Sequence, residues 1–379
     1  MRRPEILLFG LVATLSGCDF LFQSRTELTE TTGNEPVPPV TSPLTTSQTV
    51  TPTLVGKHVC RECHEQNYQL HLHSGHASTF ATTRDSNLAQ VFAGKTADAG
   101  PAFGQFKYEM SSDGLQVSRL SDRNQTAFPL QYVLGSGRNA ITLLTLLPDD
   151  EQGPAGLEHR VSWFRSHGQF GLTPGHVHQS PESANDFLGV TVHGTKMREC
   201  VHCHTTSGEI VDQQIQGLIP NVNCERCHGP GSEHVRLARQ METPPPYSVG
   251  VDKWDLESEL QLCGSCHRLP RNVSINELRN YPSEMLRFQP IGLLRSACYL
   301  ESDGQFMCTT CHNPHMDSAT KSKDEYIQDC RNCHLPDTDE HVACPVSPTE
   351  GCIECHMPPS QFEQGMVFHD HWIRIHETD

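Results

Sequence analysis

Seven times in this chain a Cys-x-x-Cys is followed at once by His: Cys60-Cys63-His64, Cys200-Cys203-His204, Cys224-Cys227-His228, Cys263-Cys266-His267, Cys308-Cys311-His312, Cys330-Cys333-His334 and Cys352-Cys355-His356. With 17 Cys and 23 His in 379 residues, chance supplies only ~0.05 such pentapeptides. The pattern is the attachment signature of c-type haem. Two thiols add across the vinyl groups of one porphyrin, and the adjoining imidazole is placed under the iron as its proximal ligand. The competing reading is a set of zinc sites or disulfides, since Cys-x-x-Cys also serves zinc ribbons. Zinc gains nothing from a His directly after the second Cys every time. The expected cofactor is therefore haem c with its iron, seven covalent copies, bound through the fourteen motif cysteines and ligated by seven motif histidines.

Cysteines outside the motifs carry separate information. Cys18 ends Leu15-Ser16-Gly17-Cys18, after Arg2, Arg3 and an apolar run from Ile6 to Leu15. That run is too short to span a membrane and reads as a signal peptide over residues 1–17. Its end resembles a lipobox, whose Cys receives a diacylglycerol. The alternative is an ordinary secretory signal with a chance Cys. Either reading exports the chain to the periplasm or cell surface. Cys298 and Cys344 remain, and in an oxidising compartment the simplest expectation is that they pair.

Residues 18–54 are rich in Thr, Ser and Pro with little to bury, the composition of a disordered, lipid-anchored tether. A first haem-binding segment covers 55–80. Residues 81–195 lack motifs and show short alternating stretches with turn signals: GQFKYEM, LQVSRL, QYVLGSG, AITLLTLL and HRVSWF, with Asp113-Gly114 as a hairpin signal. No nucleophile–base constellation stands out there, so a shielding or docking role is expected of this insert. Residues 196–379 form a six-haem domain whose last three motifs recur every 22 residues, one short helix plus loop per haem. The fold class expected is mainly α with long irregular loops, a multihaem cytochrome c core and a small antiparallel β insert. Porphyrins would replace the aliphatic packing that 36% hydrophobic residues cannot supply.

Low-spin electron carriers need a second axial ligand at each iron. His315 sits three residues after His312 and cannot flank the same porphyrin, so it would reach a neighbouring iron. His234 follows a Gly-Pro-Gly turn after His228, His76 lies downstream of the first motif, and His371 lies near the C-terminus. These four are the favoured distal ligands. His341, His193, His176 and His178 are second choices. His202, pinned inside a motif, is discounted, and His58, His71, His73, His159, His167, His369 and His376 stay unassigned. Methionine, at Met357 or Met366, is a further option.

The stretches CERCHGPGSEHV, RFQPIGLLRSACYLESDGQFMCTTCHNPH, and CIECHMPPS with FHDHWIRIH resemble the bacterial multihaem cytochromes c related to the tetrahaem electron acceptor of hydroxylamine oxidoreductase. The resemblance covers nearly all of residues 55–379, including a β insert with QYVLGSG and VSWF. It implies axial roles for His76, His234, His315 and His371. Those relatives commonly carry Pro-Gly-Tyr where this chain has Pro174-Gly175-His176.

Two functional classes follow: an electron relay between membrane or periplasmic redox partners, or an oxidoreductase with one open iron acting on nitrite, hydroxylamine or a similar small substrate. The Cys-x-x-Cys-Lys variant of pentahaem nitrite reductases is absent, and no catalytic residue is assigned. A lipid-anchored structural subunit is a third class. A net charge of −17, made more negative by haem propionates, excludes nucleic acid as a partner and favours redox proteins with a basic docking face.

Overall fold

The eleven-residue strand β7 (Ala140–Asp150) is the spine on which the N-terminal half is built. Its side chains alternate between two cores, as the period of a strand requires. Ile141 and Leu143 point into one apolar cluster, Leu144 and Leu146 into another. The computed structural model describes residues 51–122, 126–176, 180–241, 254–334 and 343–376. The signal peptide, Cys18 and most of the tether lie outside the described residues, as do His178 and His341.

The chain enters through α1 (Lys57–Arg61) and α2 (Glu65–Leu72), then forms two antiparallel sheets. The first has seven strands. In it β1 (Phe80–Thr82), β6 (Tyr132–Leu134), β7, β8 (Gly153–His159) and β11 (Gly189–His193) lie side by side, while β9 (Val161–Phe164) pairs with β7 and β10 (Gln169–Leu172) with β9. The second has the order β2 (Thr96–Asp98), β3 (Gln105–Ser111), β4 (Gly114–Arg119), β5 (Phe128–Leu130). Phe92, Phe106, Tyr108, Val117, Ile141, Leu143 and Val161 fill the cluster that joins strands of both sheets.

The far face of the seven-stranded sheet carries the second haem motif. After the short α3 (Ala184–Leu188), helix α4 (Gly194–His204) lays Met197 and Val201 against Phe80, Leu144 and Leu146. Gly156 is what lets it approach, since a Cβ there would meet the Met197 sulfur at 2.5 Å.

Two further hairpins interrupt the haem-binding half. β12 (Thr205–Val211) and β13 (Gln214–Pro220) follow α4 directly, and β14 (Pro359–Gln361) pairs with β15 (Val367–His369) after the seventh motif. The expectation of a mainly α fold with a small β insert is therefore wrong: antiparallel sheet dominates the N-terminal half and continues between motifs. The β12–β13 turn escapes notice in the sequence because its two central residues, Asp212 and Gln213, both have positive φ without a glycine (48° and 61°). Between β3 and β4 the loop is Ser112–Asp113, one residue earlier than the Asp113-Gly114 signal indicates, because Ser111 pairs with Gly114.

The rest is short helices: α5 (Cys224–His228), α6 (Ser232–Arg239), α7 (Leu256–His267), α8 (Ile275–Asn280), α9 (Gln289–Leu293), α10 (Ala297–Leu300), α11 (Cys308–Cys311), α12 (Lys323–Arg331) and α13 (Cys352–His356). No described helix is long and apolar enough to cross a membrane. Cys298 and Cys344 are both free thiols, which corrects the expected disulfide. Cys298, on α10, lies in the electrostatic range of Cys333, while the Cys344 sulfur accepts the Ser347 N–H at 3.4 Å.

Gly114 has φ +117°, and a Cβ there would meet Thr83 Oγ1 at 2.5 Å. Gly114→Val is expected to cost about 1–3 kcal/mol through backbone strain, plus the contact. Thermal unfolding of the haem-loaded protein, read by far-UV circular dichroism, checks it.

Candidate haem-binding centre

Helical spacing brings each motif's chemistry onto one face. Cysteines at i and i+3 and a histidine at i+4 are neighbours on a helix surface. The backbone bonds that impose this are present: the amides of His64, His312 and His334 donate to the carbonyls of Cys60, Cys308 and Cys330 at 2.9, 2.9 and 3.0 Å. Motifs two, three, four and seven lie wholly within α4, α5, α7 and α13, motif five spans α11 with His312 as its cap, and motif six starts on α12.

Four motif histidines face a second imidazole from a distant segment. His64 faces His234 and His76 faces His267, each with ring centroids 6.2 Å apart. His228 faces His315 at 6.1 Å, with the rings 8° from parallel, and His312 faces His371 at 6.2 Å. These separations are too long for ring stacking in contact. They suit one metal between the rings: a metal–imidazole bond is about 2 Å, and with roughly 1.1 Å from nitrogen to centroid on each side the rings stand about 6 Å apart. A haem iron bound there would be held by one histidine of the motif and one from the distant segment.

Hydrogen bonds at Nδ1 orient several of these rings so that Nε2 is the free donor atom. The Nδ1 atoms of His204, His356 and His371 lie 3.1, 3.1 and 3.0 Å from the carbonyls of Thr79, Arg374 and His369. His315 Nδ1 lies 3.2 Å from Asn313 Oδ1, and His312 Nδ1 lies 3.4 Å from the Tyr326 hydroxyl. Such bonds fix the tautomer of a metal-binding imidazole. Burial pushes His76, His204, His228, His312 and His315 below the usual imidazole value, and His371 down to about 4. Burial thus favours the neutral form, which is the one that ligates.

Several of the other histidines have partners of a different kind. His71 is buried, but its Nε2 lies 2.9 Å from the Val222 carbonyl, and His58 bonds Tyr68. His159 bonds Tyr108 in the β core at 2.8 Å, and burial holds it at about 3. Among the second choices, His176 bonds Glu158 at 3.1 Å and His193 pairs with Asp150. His202 bonds Arg226 at 2.6 Å.

Motifs also lie against one another. The Cys60 thiol lies beside that of Cys224, Cys203 beside Cys266, and Cys263 beside Cys308. Cys203 also reaches the Ser265 carbonyl at 3.8 Å. Helix α11 packs on α12, and α12 on α13. A cavity of about 580 Å³ beside the fifth motif is lined by Thr310, Cys311, His312, His315, Lys321 and Tyr326, within the usual range for an organic ligand. Arg268 and Arg287 stand 4.9 and 4.8 Å from the centre of the Phe288 ring, two guanidiniums suited to the carboxylates of haem.

Sequence reasoning missed two buried carboxylates that join motifs. Glu225, inside the third motif, accepts the amides of Val55, Gly56 and Gly231 at 2.8, 2.7 and 2.9 Å. Glu259, on the fourth-motif helix, accepts the Thr309 amide at 3.0 Å and hydroxyl at 2.7 Å inside the fifth motif. An acidic residue between motif cysteines carries no sequence signal of this.

Residues 174–229 match the family model described as cytochrome c554 and c-prime. That stretch resembles a c-type cytochrome. It contains the second and third motifs, and the match supports covalently bound haem c. Among solved structures, the crystal structure of the outer cell wall cytochrome OcwA is similar at 16% identity and a TM-score of 0.47, over 85% of this chain and 79% of that one. No curated protein matches.

His71, which is buried, and His76, which is half-buried, should behave differently. His76→Ala is expected to convert one low-spin iron to high spin, while His71→Ala leaves every spin state unchanged. Low-temperature EPR of the oxidised variants distinguishes them.

Proposed function

We propose that this chain is an exported heptahaem c-type cytochrome that relays electrons between membrane or periplasmic redox partners through closely packed, mostly bis-His haems. The observation that carries the reading is the set of four imidazole pairs at 6.1–6.2 Å, with His76, His234, His315 and His371 as distal ligands. Iron closed on both faces keeps its ligands in both redox states, so little rearranges when an electron arrives; the haem supplies the redox chemistry and the chain sets spacing and potential.

The contacts between motifs support a continuous path. The first motif lies against the third through Cys60 and Cys224, and Cys227 of the third lies in the electrostatic range of Cys263 and Cys266 of the fourth. The fourth meets the fifth through Cys263 and Cys308, and the fifth continues through α11, α12 and α13 to the sixth and seventh. The second motif joins at the fourth through Cys203 and Cys266. In this proposal the path has the order one, three, four, five, six, seven, with haem two as a side branch. Kinship to the electron acceptor of hydroxylamine oxidoreductase belongs to the same proposal. So do a lipid anchor at Cys18 and an acidic surface that docks basic redox partners.

One observation supports the alternative, an oxidoreductase with an open iron. Glu158, on the face of β8 that meets α4, lies in the electrostatic range of His204 and bonds the buried His176 at 3.1 Å. A carboxylate–imidazole pair beside a haem is a proton source that a small nitrogen oxyanion would need.

A pyridine haemochrome count with EPR of the same sample tests the reading. Seven haems, all low-spin and unmoved by nitrite or hydroxylamine, are expected; a high-spin iron that shifts with either ligand favours the enzyme. Electron transfer to a basic partner cytochrome is expected to slow as salt rises through the range where the screening length falls below ~10 Å. Stopped-flow rates indifferent to ionic strength would contradict an acidic docking face.

A further inference from the structure

We propose that Glu225 and Glu259 are potential-setting residues, each a buried negative charge shared by two haems: Glu225 by the first and third, Glu259 by the fourth and fifth. The inference rests on the haem-relay reading and adds the residues that shape its energy profile.

The two carboxylates occupy equivalent places. Glu225 is 8% exposed, and all of its hydrogen bonds come from backbone amides, two of them at the entry to α1, which carries the first motif. It sits between Cys224 and Arg226 of the third motif, whose Cys224 thiol meets that of Cys60. Glu259 is fully buried. It stands one helical turn before Cys263 on α7 and holds Thr309, the residue after Cys308, by amide and hydroxyl. The Cys308 thiol meets both Cys263 and Glu259. Each carboxylate thus lies at the junction of two haem attachments rather than beside one.

Each carboxylate accepts on both oxygens: Oε1 of Glu225 takes the Val55 and Gly231 amides and Oε2 the Gly56 amide, while Oε1 and Oε2 of Glu259 take the Thr309 amide and hydroxyl. An amide has one acceptor oxygen and would set its NH2 against one of these donors, so the double acceptance favours a carboxylate in spite of the cost of burying its charge. What the carboxylate also adds is its field. Reduction brings one electron to an iron, so a fixed negative charge nearby disfavours the ferrous form and lowers the potential. In a poorly screened interior that interaction is several times larger than in water. The acidic residues on the outer surface have no such reach. Glu65, beside the first motif, is half exposed and paired with Arg61.

The Thr309 hydroxyl supplies a test of opposite sign. It donates to Glu259 at 2.7 Å and so offsets part of the carboxylate's field. Removing it leaves the charge in place and strengthens that field at the fourth and fifth haems.

The experiment is a potentiometric titration of the full haem-loaded protein, followed by visible absorption and EPR, on wild type, Glu225→Gln, Glu259→Gln, Glu65→Gln and Thr309→Val. Glu225→Gln and Glu259→Gln are each expected to raise the midpoint potentials of two haems, a different two in each variant, and to leave the other five in place. Glu65→Gln should shift nothing. Thr309→Val should lower the potentials of the pair that Glu259→Gln raises. If a Gln variant fails to load haem, Thr309→Val still decides for Glu259, and Glu225→Asp, which keeps the charge, should retain the wild-type potentials. Unchanged potentials in fully loaded Gln variants, a uniform shift of all seven haems, or a rise in Thr309→Val would overturn the proposal. A haem count of seven with bis-His EPR in the same samples separates that failure from failure of the relay reading.

Discussion

Four pairs of histidines spaced to take a metal between them are the constraint around which the haem-binding half is arranged. Each of the four histidine pairs joins segments far apart in the chain: residue 64 to 234, 76 to 267, 228 to 315 and 312 to 371. A ligated iron at such a place acts as a cross-link, and cross-links that close long loops remove the most freedom from the unfolded chain. Among the described residues, the haem-binding half has short helices and no apolar cluster comparable with the one between the sheets. Its order is therefore expected to come from iron and porphyrin rather than from side-chain packing, and on the proposed relay the histidine pairs would serve folding and electron transfer together.

The β half contributes a platform of a different kind. Its sheets hold a conventional core, with Phe106, Tyr108, Val117 and Leu143 fully buried, and it presents its second face to α4. That helix carries Cys200, Cys203 and His204, and the Thr79 carbonyl beside β1 accepts from the His204 ring. The second motif is thus held by aliphatic packing as well as by its contact with the fourth through Cys203, whereas motifs one, three, four and five are tied to each other. On the proposed relay, this difference would set the second haem apart as a side branch.

Much of the site was legible in the chain because haem attachment is local. Five residues suffice for the signature, and a helical turn does the rest. His315 could be excluded as a partner of His312 from spacing alone, and it stands opposite His228. The pairing of His76 with His267 could not be read, since it depends on how the sheets return the chain. His71 and His76 look alike in sequence; only the carbonyl of Val222, 151 residues away, sets them apart. The extent of β structure was underestimated for a related reason. Strands such as TTSGEIV and QIQGLIP are weakly apolar, are joined without a glycine at the turn, and lie between haem motifs where loops were expected. The roles of Glu225 and Glu259 were invisible, because acidic residues in and beside motifs are ordinary until a distant amide is found pointing at them.

The most direct test of the central claim is a crystal structure of the haem-loaded protein with anomalous data collected on both sides of the iron edge. The account predicts iron peaks midway between His64 and His234, His76 and His267, His228 and His315, and His312 and His371. Iron displaced from those midpoints, or a different distal ligand at any of the four, would contradict it.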